Sequence, residues 1–300
     1  MDPVTHGLTG VMLSNLFPRK KGTLLVALFA SLAPDLDYVT RFWGTEVFLR
    51  YHRGITHGIG ALLLVPLLVG MAARRAYRGR LLFFVMLSYL CYGVHIAMDL
   101  MTQYPTRVLS PLDWSAYSLG IAFIIDPYVS AAIVLAILFS MRKSVNRRLA
   151  SLICILFLIV YLFGRFYIKG KVEDYLRTEL DEYHYSLYPL PNDFFRWWFV
   201  TRSGDLYKVG FVDLLTETVC VKRVLNYTER IPEIKESKQL RTVRNFLYFA
   251  QKPYAEVKRQ DGETIVTWHE LSYGFFPGDH FIARVRFDRM GRVREEYFRF

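Results

Sequence analysis

The chain has 300 residues, 53% of them hydrophobic, and a formal net charge of +11. That composition fits a large globular core or a bilayer protein, and three scattered cysteines, Cys91, Cys154 and Cys220, exclude a disulfide framework or a thiolate metal cluster. The distribution of apolar residues favours the bilayer, and the basic excess then reads as a topology signal rather than as nucleic-acid binding.

Val4–Phe17 is apolar but short, so it predicts a partial or tilted helix buried against its neighbours. Asp2 and His6 stand where a secretory signal would carry basic residues, and no small-residue cleavage site follows, so this segment is expected to be retained. Apolar stretches then run over Thr23–Val39, Gly58–Ala73, Leu81–Leu100, Ile121–Met141 and Ala150–Ile168, near the roughly 20 residues that a spanning helix needs. About six helices, the first one short, are expected in a membrane domain covering 1–169.

Alternate connections carry Arg19, Lys20 and Lys21, then Arg74, Arg75, Arg78 and Arg80, then Arg142, Lys143, Arg147 and Arg148. The opposite connections hold Arg41, Arg50, Arg53 and Arg107 with Trp43, Tyr51, Tyr104, Trp114 and Tyr117, which suit an interfacial aromatic belt. Basic residues favour the cytoplasmic side. The N-terminus, the polar clusters and the C-terminal region are therefore expected outside the cytoplasm, with the chain integral to a prokaryotic plasma (inner) membrane.

Residues 170–300 read as an extracytoplasmic, soluble α+β domain with antiparallel sheet. Val172–Tyr185 has helical spacing, and Pro189 and Pro191 break the chain. Strands are expected at Phe194–Val200, Asp205–Leu214 and Thr218–Leu225, and a helix at Lys238–Gln251. Two hairpins close the sequence: Tyr254–Arg259 turns through Asp261-Gly262 into Thr264–Leu271, and Phe281–Phe287 turns near Gly291 into Val293–Phe300.

Histidines and aspartates cluster at the ends of the apolar segments. His95 and Asp99, four apart, share one helical face and suit one ion or a bridge between two, the rival being a hydrogen-bonded pair that pins two helices. Asp35 and Asp37 flank Leu36 after Pro34; two carboxylates aimed at one pocket repel unless a cation or proton separates them. His52 and His57 bracket an Arg-Gly turn, so His52 reaches from the loop while His57 sits at a helix start that Thr56 is placed to cap. Arg53 between them suits an anionic substrate oxygen, which a guanidinium grips by two parallel hydrogen bonds, or else snorkels to lipid headgroups. His6 begins the first apolar segment and Asp126 opens the fifth, ahead of Pro127.

These groups fall at one expected depth, where ionisable side chains are costly and by default functional. His6, Asp35, His57, His95, Asp99 and Asp126 are the expected metal ligands, and Asp37, Arg53 and His52 the catalytic candidates. Imidazoles and carboxylates without thiolates suit zinc, with manganese second, as one ion or as two sharing Asp99. His184, His269 and His280 lack comparable carboxylate spacing and read as ordinary histidines.

Met1-Asp2-Pro3-Val4-Thr5-His6, Ala33-Pro34-Asp35-Leu36-Asp37, His52-Arg53-Gly54-Ile55-Thr56-His57, His95-xxx-Asp99 and Ile125-Asp126-Pro127 together resemble the membrane-bound metal-dependent hydrolase family often called YdjM-like, over about residues 1–170. Their order is also similar to that of zinc-dependent phospholipase C and related single-strand nucleases. That likeness implies His6, Asp35 or Asp37, His52 or His57, His95 and Asp99 as ligands, with Asp99 bridging. No further His, His, Glu set follows Asp99, so a third ion is not carried over.

The expectation is an integral-membrane hydrolase that cleaves a phosphoester of a lipid or cell-envelope substrate by metal-activated water, with the bilayer as its surroundings. The alternative is a non-catalytic membrane protein whose metal or His/Asp network staples helices together while it binds lipid or a partner. A metal or proton transporter would need polar groups at both ends of its path, and the opposite loops hold only basic residues.

Overall fold

The computed structural model describes residues 1–180, 185–227 and 231–299. They divide into two compact units: Met1–Tyr38, His52–Lys169 and Pro189–Phe194 form the first, and Val39–Tyr51, Gly170–Tyr188 and Phe195–Phe300 the second.

The first unit is helical. It contains α1 (Pro3–Ser14), α2 (Thr23–Leu32), a 3-10 segment that starts at Pro34, α4 (Ile59–Tyr77), α5 (Leu81–Met101), α6 (Pro127–Ser140) and most of α7 (Arg147–Leu180). Among the described residues three helices, α4, α5 and α7, are long and apolar enough to cross a membrane, or up to four spans if α2 and the 3-10 segment, bent by 50° against each other, form one broken span. Pro34 has no N–H to continue the α2 ladder, and the expected Thr23–Val39 helix breaks there.

The expected Ile121–Met141 helix is likewise shortened to α6. Asp126 caps it, accepting from the backbone N–H groups of Tyr128 and Val129, with Pro127 at its first position. By contrast, Ala150–Ile168 and the charged segment after it merge into α7, 34 residues that rise about 51 Å. Gly170 costs a helix only about 1 kcal/mol relative to Ala, too little to break one so long. The end of the expected Val172–Tyr185 helix, 181–184, lies outside the described residues.

Only 17% of the apolar window is buried in α4 and in α7, against 39% in α5. The first two therefore offer leucines and phenylalanines such as Leu63, Leu152 and Phe163 to the surroundings, whereas α5 is the central helix. Phe84, Leu87, Cys91 and Tyr92 pack inward along it, and His95 and Asp99 continue the same buried face.

The second unit has two four-stranded antiparallel sheets, ordered β1-β2-β3-β4 and β5-β6-β7-β8. The strands are β1 (Tyr185–Pro189), β2 (Arg196–Ser203), β3 (Leu206–Asp213), β4 (Thr218–Asn226), β5 (Pro253–Gln260), β6 (Glu263–Glu270), β7 (Ile282–Phe287) and β8 (Val293–Arg299). The two expected hairpins form, the first through Asp261 and Gly262, both at positive φ as a tight two-residue turn requires. The helix expected at Lys238–Gln251 is α9 (Arg241–Phe249), which buries Val243, Phe246 and Phe249 at helical spacing. Helices α3 (Thr45–Tyr51) and α8 (Pro232–Ser237), with β1, are elements that the sequence pattern does not predict.

Buried indoles anchor this unit: Trp198 Nε1 donates to the Leu271 carbonyl at 2.8 Å and Trp268 Nε1 to Ser237 Oγ at 3.0 Å. Glu270, 3% exposed, accepts from the backbone N–H groups of Lys252 (3.0 Å) and Ser272 (3.1 Å). Burial outweighs these hydrogen bonds and raises its carboxyl above the ordinary 4.5. Because the folded state then holds the proton more tightly than the unfolded one, the contribution is full below about pH 4.5 and is lost as pH rises through the raised value. Tryptophan-fluorescence melts of the full chain should thus show this unit weakening as pH climbs from that point, and Glu270→Gln should flatten the dependence; an unchanged slope in the variant would remove Glu270 from the account.

Candidate metal centre

Four parts of the first unit bring their polar ends together. α1 supplies His6 from its first turn, the 3-10 segment supplies Asp35 and Asp37, the turns before α4 supply His52 and His57, and α5 supplies His95 and Asp99. All seven are buried, His57 and Asp99 at 0% exposure. Their ligand atoms form three groups, each able to hold an ion: His6, His95 and Asp99; Asp35, His57 and His95; Asp35, Asp37 and His52. Asp126 belongs to none of the three. Its carboxylate caps α6 and accepts from Tyr161 Oη at 2.8 Å, away from the three groups.

Hydrogen bonds on the outer side of the rings decide which nitrogens face inward. His95 Nδ1 lies 2.6 Å from the Ser31 carbonyl, which can only accept, so that nitrogen carries the proton and Nε2 presents its lone pair. Thr56 Oγ1 donates to Asp37 Oδ2 at 2.9 Å and is left to accept from His57 Nδ1 at 3.1 Å, which turns His57 Nε2 inward too. The two Nε2 atoms stand 3.1 Å apart. Asp99 Oδ2 is 3.1 Å from His57 Nε2 and 3.4 Å from His95 Nε2, and Asp35 Oδ1 is 3.8 Å from both.

Lone pairs facing each other among carboxylates repel unless a cation or a proton sits between them. Asp35 Oδ2 and His6 Nδ1, both buried, have no hydrogen-bond partner among the described residues. The donor set therefore fits a divalent ion, with the outer hydrogen bonds orienting the rings as metal-bound histidines require. Burial works against a charged His57, yet its contacts with Asp37 and Asp99 win and lift it to about 9, while burial takes His52 down to about 4 against the pull of Asp37.

Two carboxylates can share ions here. Asp35 belongs to two of the three groups. Asp99 reaches both ways, with Oδ1 receiving His6 Nε2 at 3.1 Å, Arg53 Nη2 at 2.7 Å and the Met1 amino group, and Oδ2 facing His57 and His95.

Arg53 differs from the sequence expectation. It is 1% exposed, and its guanidinium closes on Asp99, Thr102 Oγ1 at 2.8 Å and the Tyr104 carbonyl at 3.0 Å. With its donors turned inward, it neutralises and positions Asp99 rather than presenting a fork to an incoming anion or snorkelling to headgroups. Its φ of 56° is the left-handed value that a bulky residue rarely adopts, held by its N–H to Asp37 Oδ2 (3.0 Å) and its carbonyl to the Arg107 N–H (3.0 Å).

Tyr104, expected in an interfacial belt, is buried and packs its ring 5.4 Å from that of His52. Thr56 leaves the α4 N-terminus to Gly58, which makes no side-chain cap. Pattern reading missed the supporting groups Ser31, Thr102 and Tyr104, because two act through carbonyls that every residue has; Thr102, three residues past Asp99, was the one accessible signal. His269 and His280 lie in the second unit, outside the three groups, and His184 lies outside the described residues.

The helices and this buried imidazole–carboxylate cluster define a membrane-protein class with a candidate metal centre. Residues 1–172 match the family described as YdjM inner membrane protein, and the chain belongs to it. It is also similar to the uncharacterized protein YfhP of Bacillus subtilis (strain 168), 26% identical over 225 residues, 70% of this chain and 68% of that protein. That share exceeds the family match, so the likeness continues past residue 172. No solved structure matches.

Two outcomes follow from the geometry. Added zinc should raise the thermal midpoint of the detergent-purified chain, and His95→Gln should abolish both that shift and the bound metal measured by elemental analysis; metal content equal to wild type would remove His95 from the ligands. At Gly58 a Cβ would meet the Ser110 carbonyl oxygen at 2.4 Å, so Gly58→Ala should displace the His57 turn and destabilise the protein by about 1–3 kcal/mol, read as a lower midpoint. An unchanged midpoint would show that this close approach does not hold the turn.

Proposed function

We propose that this protein is a metal-dependent hydrolase of the membrane, cleaving a phosphoester of a lipid or cell-envelope molecule on the side opposite the basic connections. The observation that carries the reading is the 3.1 Å approach of the two inward-facing Nε2 atoms beside Asp99 and Asp35. His6, Asp35, His57, His95 and Asp99 would hold the ion or ions. A divalent ion there supplies Lewis acidity towards a phosphoryl oxygen and lowers the pKa of water towards about 7.

The chain's own residues then divide the remaining work. In this reading His52, whose Nδ1 is held at 2.9 Å by Asp37 Oδ1 so that its ring is oriented, is the proton-transfer group. Asp37 is engaged by His52, the Arg53 N–H and Thr56, so in this reading the catalytic work of Asp37 is to orient that ring. Arg53 balances the charge on Asp99 from within the protein. The second reading, a structural staple between helices, is favoured by that same pairing, since a buried Arg–Asp contact at 2.7 Å also ties α5 to the His52 turn.

A screen of phosphomonoester and phosphodiester headgroups with zinc- or manganese-loaded protein separates the two. The hydrolase reading expects chelator-sensitive turnover that falls by about 10²–10⁴ in His52→Ala while metal content stays. A metal-loaded, folded protein without turnover on any of these headgroups would favour the staple.

A further inference from the structure

Away from the metal centre, α6 and α7 enclose an apolar groove of about 570 Å³. Small side chains, among them Ala132, Ala136 and Ala150, form part of its lining, with Leu135 and Phe157 beside them. From Tyr128 to Phe139 it follows α6 for about 16 Å at 1.5 Å per residue, roughly half of the ~30 Å hydrocarbon thickness. The groove is thus one leaflet deep, the length of a single lipid chain rather than of a spanning helix.

At its Phe139, Val145 and Leu149 end the connection between the two helices is strongly basic. Arg142, Lys143 and Arg148 are exposed there, and Arg142 lies over the Phe139 ring at 5.6 Å. Arg147, which donates to the Phe17 carbonyl, has Arg19 and Arg148 as its charged neighbours and no carboxylate in range among the described residues. The first turn of α7 carries no acidic residue either, so the positive end of that helix adds to the same field. Clustered cations without an internal counter-charge call for an anion from outside.

We infer that this groove binds an anionic phospholipid, one acyl chain lying between α6 and α7 and the phosphate resting on Arg142, Lys143 and Arg148. Basic pockets between membrane helices recognise anionic headgroups in this way. A second copy docked about a two-fold axis would set one basic cluster against another, which disfavours self-association at this face. The inference is independent of the hydrolase reading, because none of these residues belongs to the metal centre.

Native mass spectrometry of the full chain, titrated with phosphatidylglycerol or phosphatidylcholine vesicle lipids, tests it. Phosphatidylglycerol should be retained in preference to phosphatidylcholine. The triple variant Arg142→Gln, Lys143→Gln, Arg148→Gln, at exposed positions, should weaken that retention by roughly a hundredfold, about a factor of five for each lost cation. Ala131→Trp, an exposed groove position, should displace the chain while leaving the charges intact. Equal retention of the two lipids, indifference to both variants, or a dimer crosslinked through the groove would each overturn the proposal.

Discussion

Two imidazole nitrogens turned towards each other at 3.1 Å, beside two buried carboxylates, set the constraint around which the first unit is built. Each ring is fixed from behind, His95 by the Ser31 carbonyl and His57 by Thr56, so neither can rotate away to relieve the repulsion without breaking a buried hydrogen bond. Something positive has to lie between them. A proton can do part of the task, since the contacts of His57 with Asp37 and Asp99 favour its charged form against burial. Arg53 supplies a second, permanent positive charge against Asp99 from the outer side. Removing one partner from a buried ion pair of this kind typically costs about 3–5 kcal/mol, so the cluster is coupled to folding as well as to chemistry.

The helices explain why those groups can meet. α5 is the most buried of the long helices, and its i, i+4 pair of His95 and Asp99 therefore projects inward and not into lipid. Breaks at Pro34 and at the His52–Gly58 turn then let short polar segments reach the end of α5. Regular helix at either place would have carried Asp37 or His57 away from it. The 3-10 segment brings Asp35 and Asp37 together within ligand distance of His52.

Much of this was legible from the sequence. The period-2 hairpins with Asp-Gly and Gly turns, the four-residue spacing of His95 and Asp99, and the Asp-Leu-Asp and His-Arg-Gly-Ile-Thr-His clusters all carry signals in residue type and spacing. What the sequence hid depends on tertiary context. Arg53 reads as a substrate anchor until the structure shows its donors turned towards Asp99 and Thr102. Asp126 reads as a ligand because its hydrogen bond to Tyr161 spans 35 positions, beyond any local pattern. Val39–Tyr51 clusters with the second unit through packing of α3 on α9, a long-range contact without a local motif. The continuity of α7 is hidden for the opposite reason: the change from apolar to charged residues near Lys169 reads as a change of element, whereas one helix runs through it.

X-ray absorption at the metal edge of protein purified without added metal bears most directly on the central claim. The account predicts a bound first-row divalent ion with two or more imidazole nitrogens at about 2.0–2.1 Å and carboxylate oxygens completing its shell. Protein that is folded, metal-free and unresponsive to added zinc or manganese, or a spectrum without imidazole scattering, would contradict it.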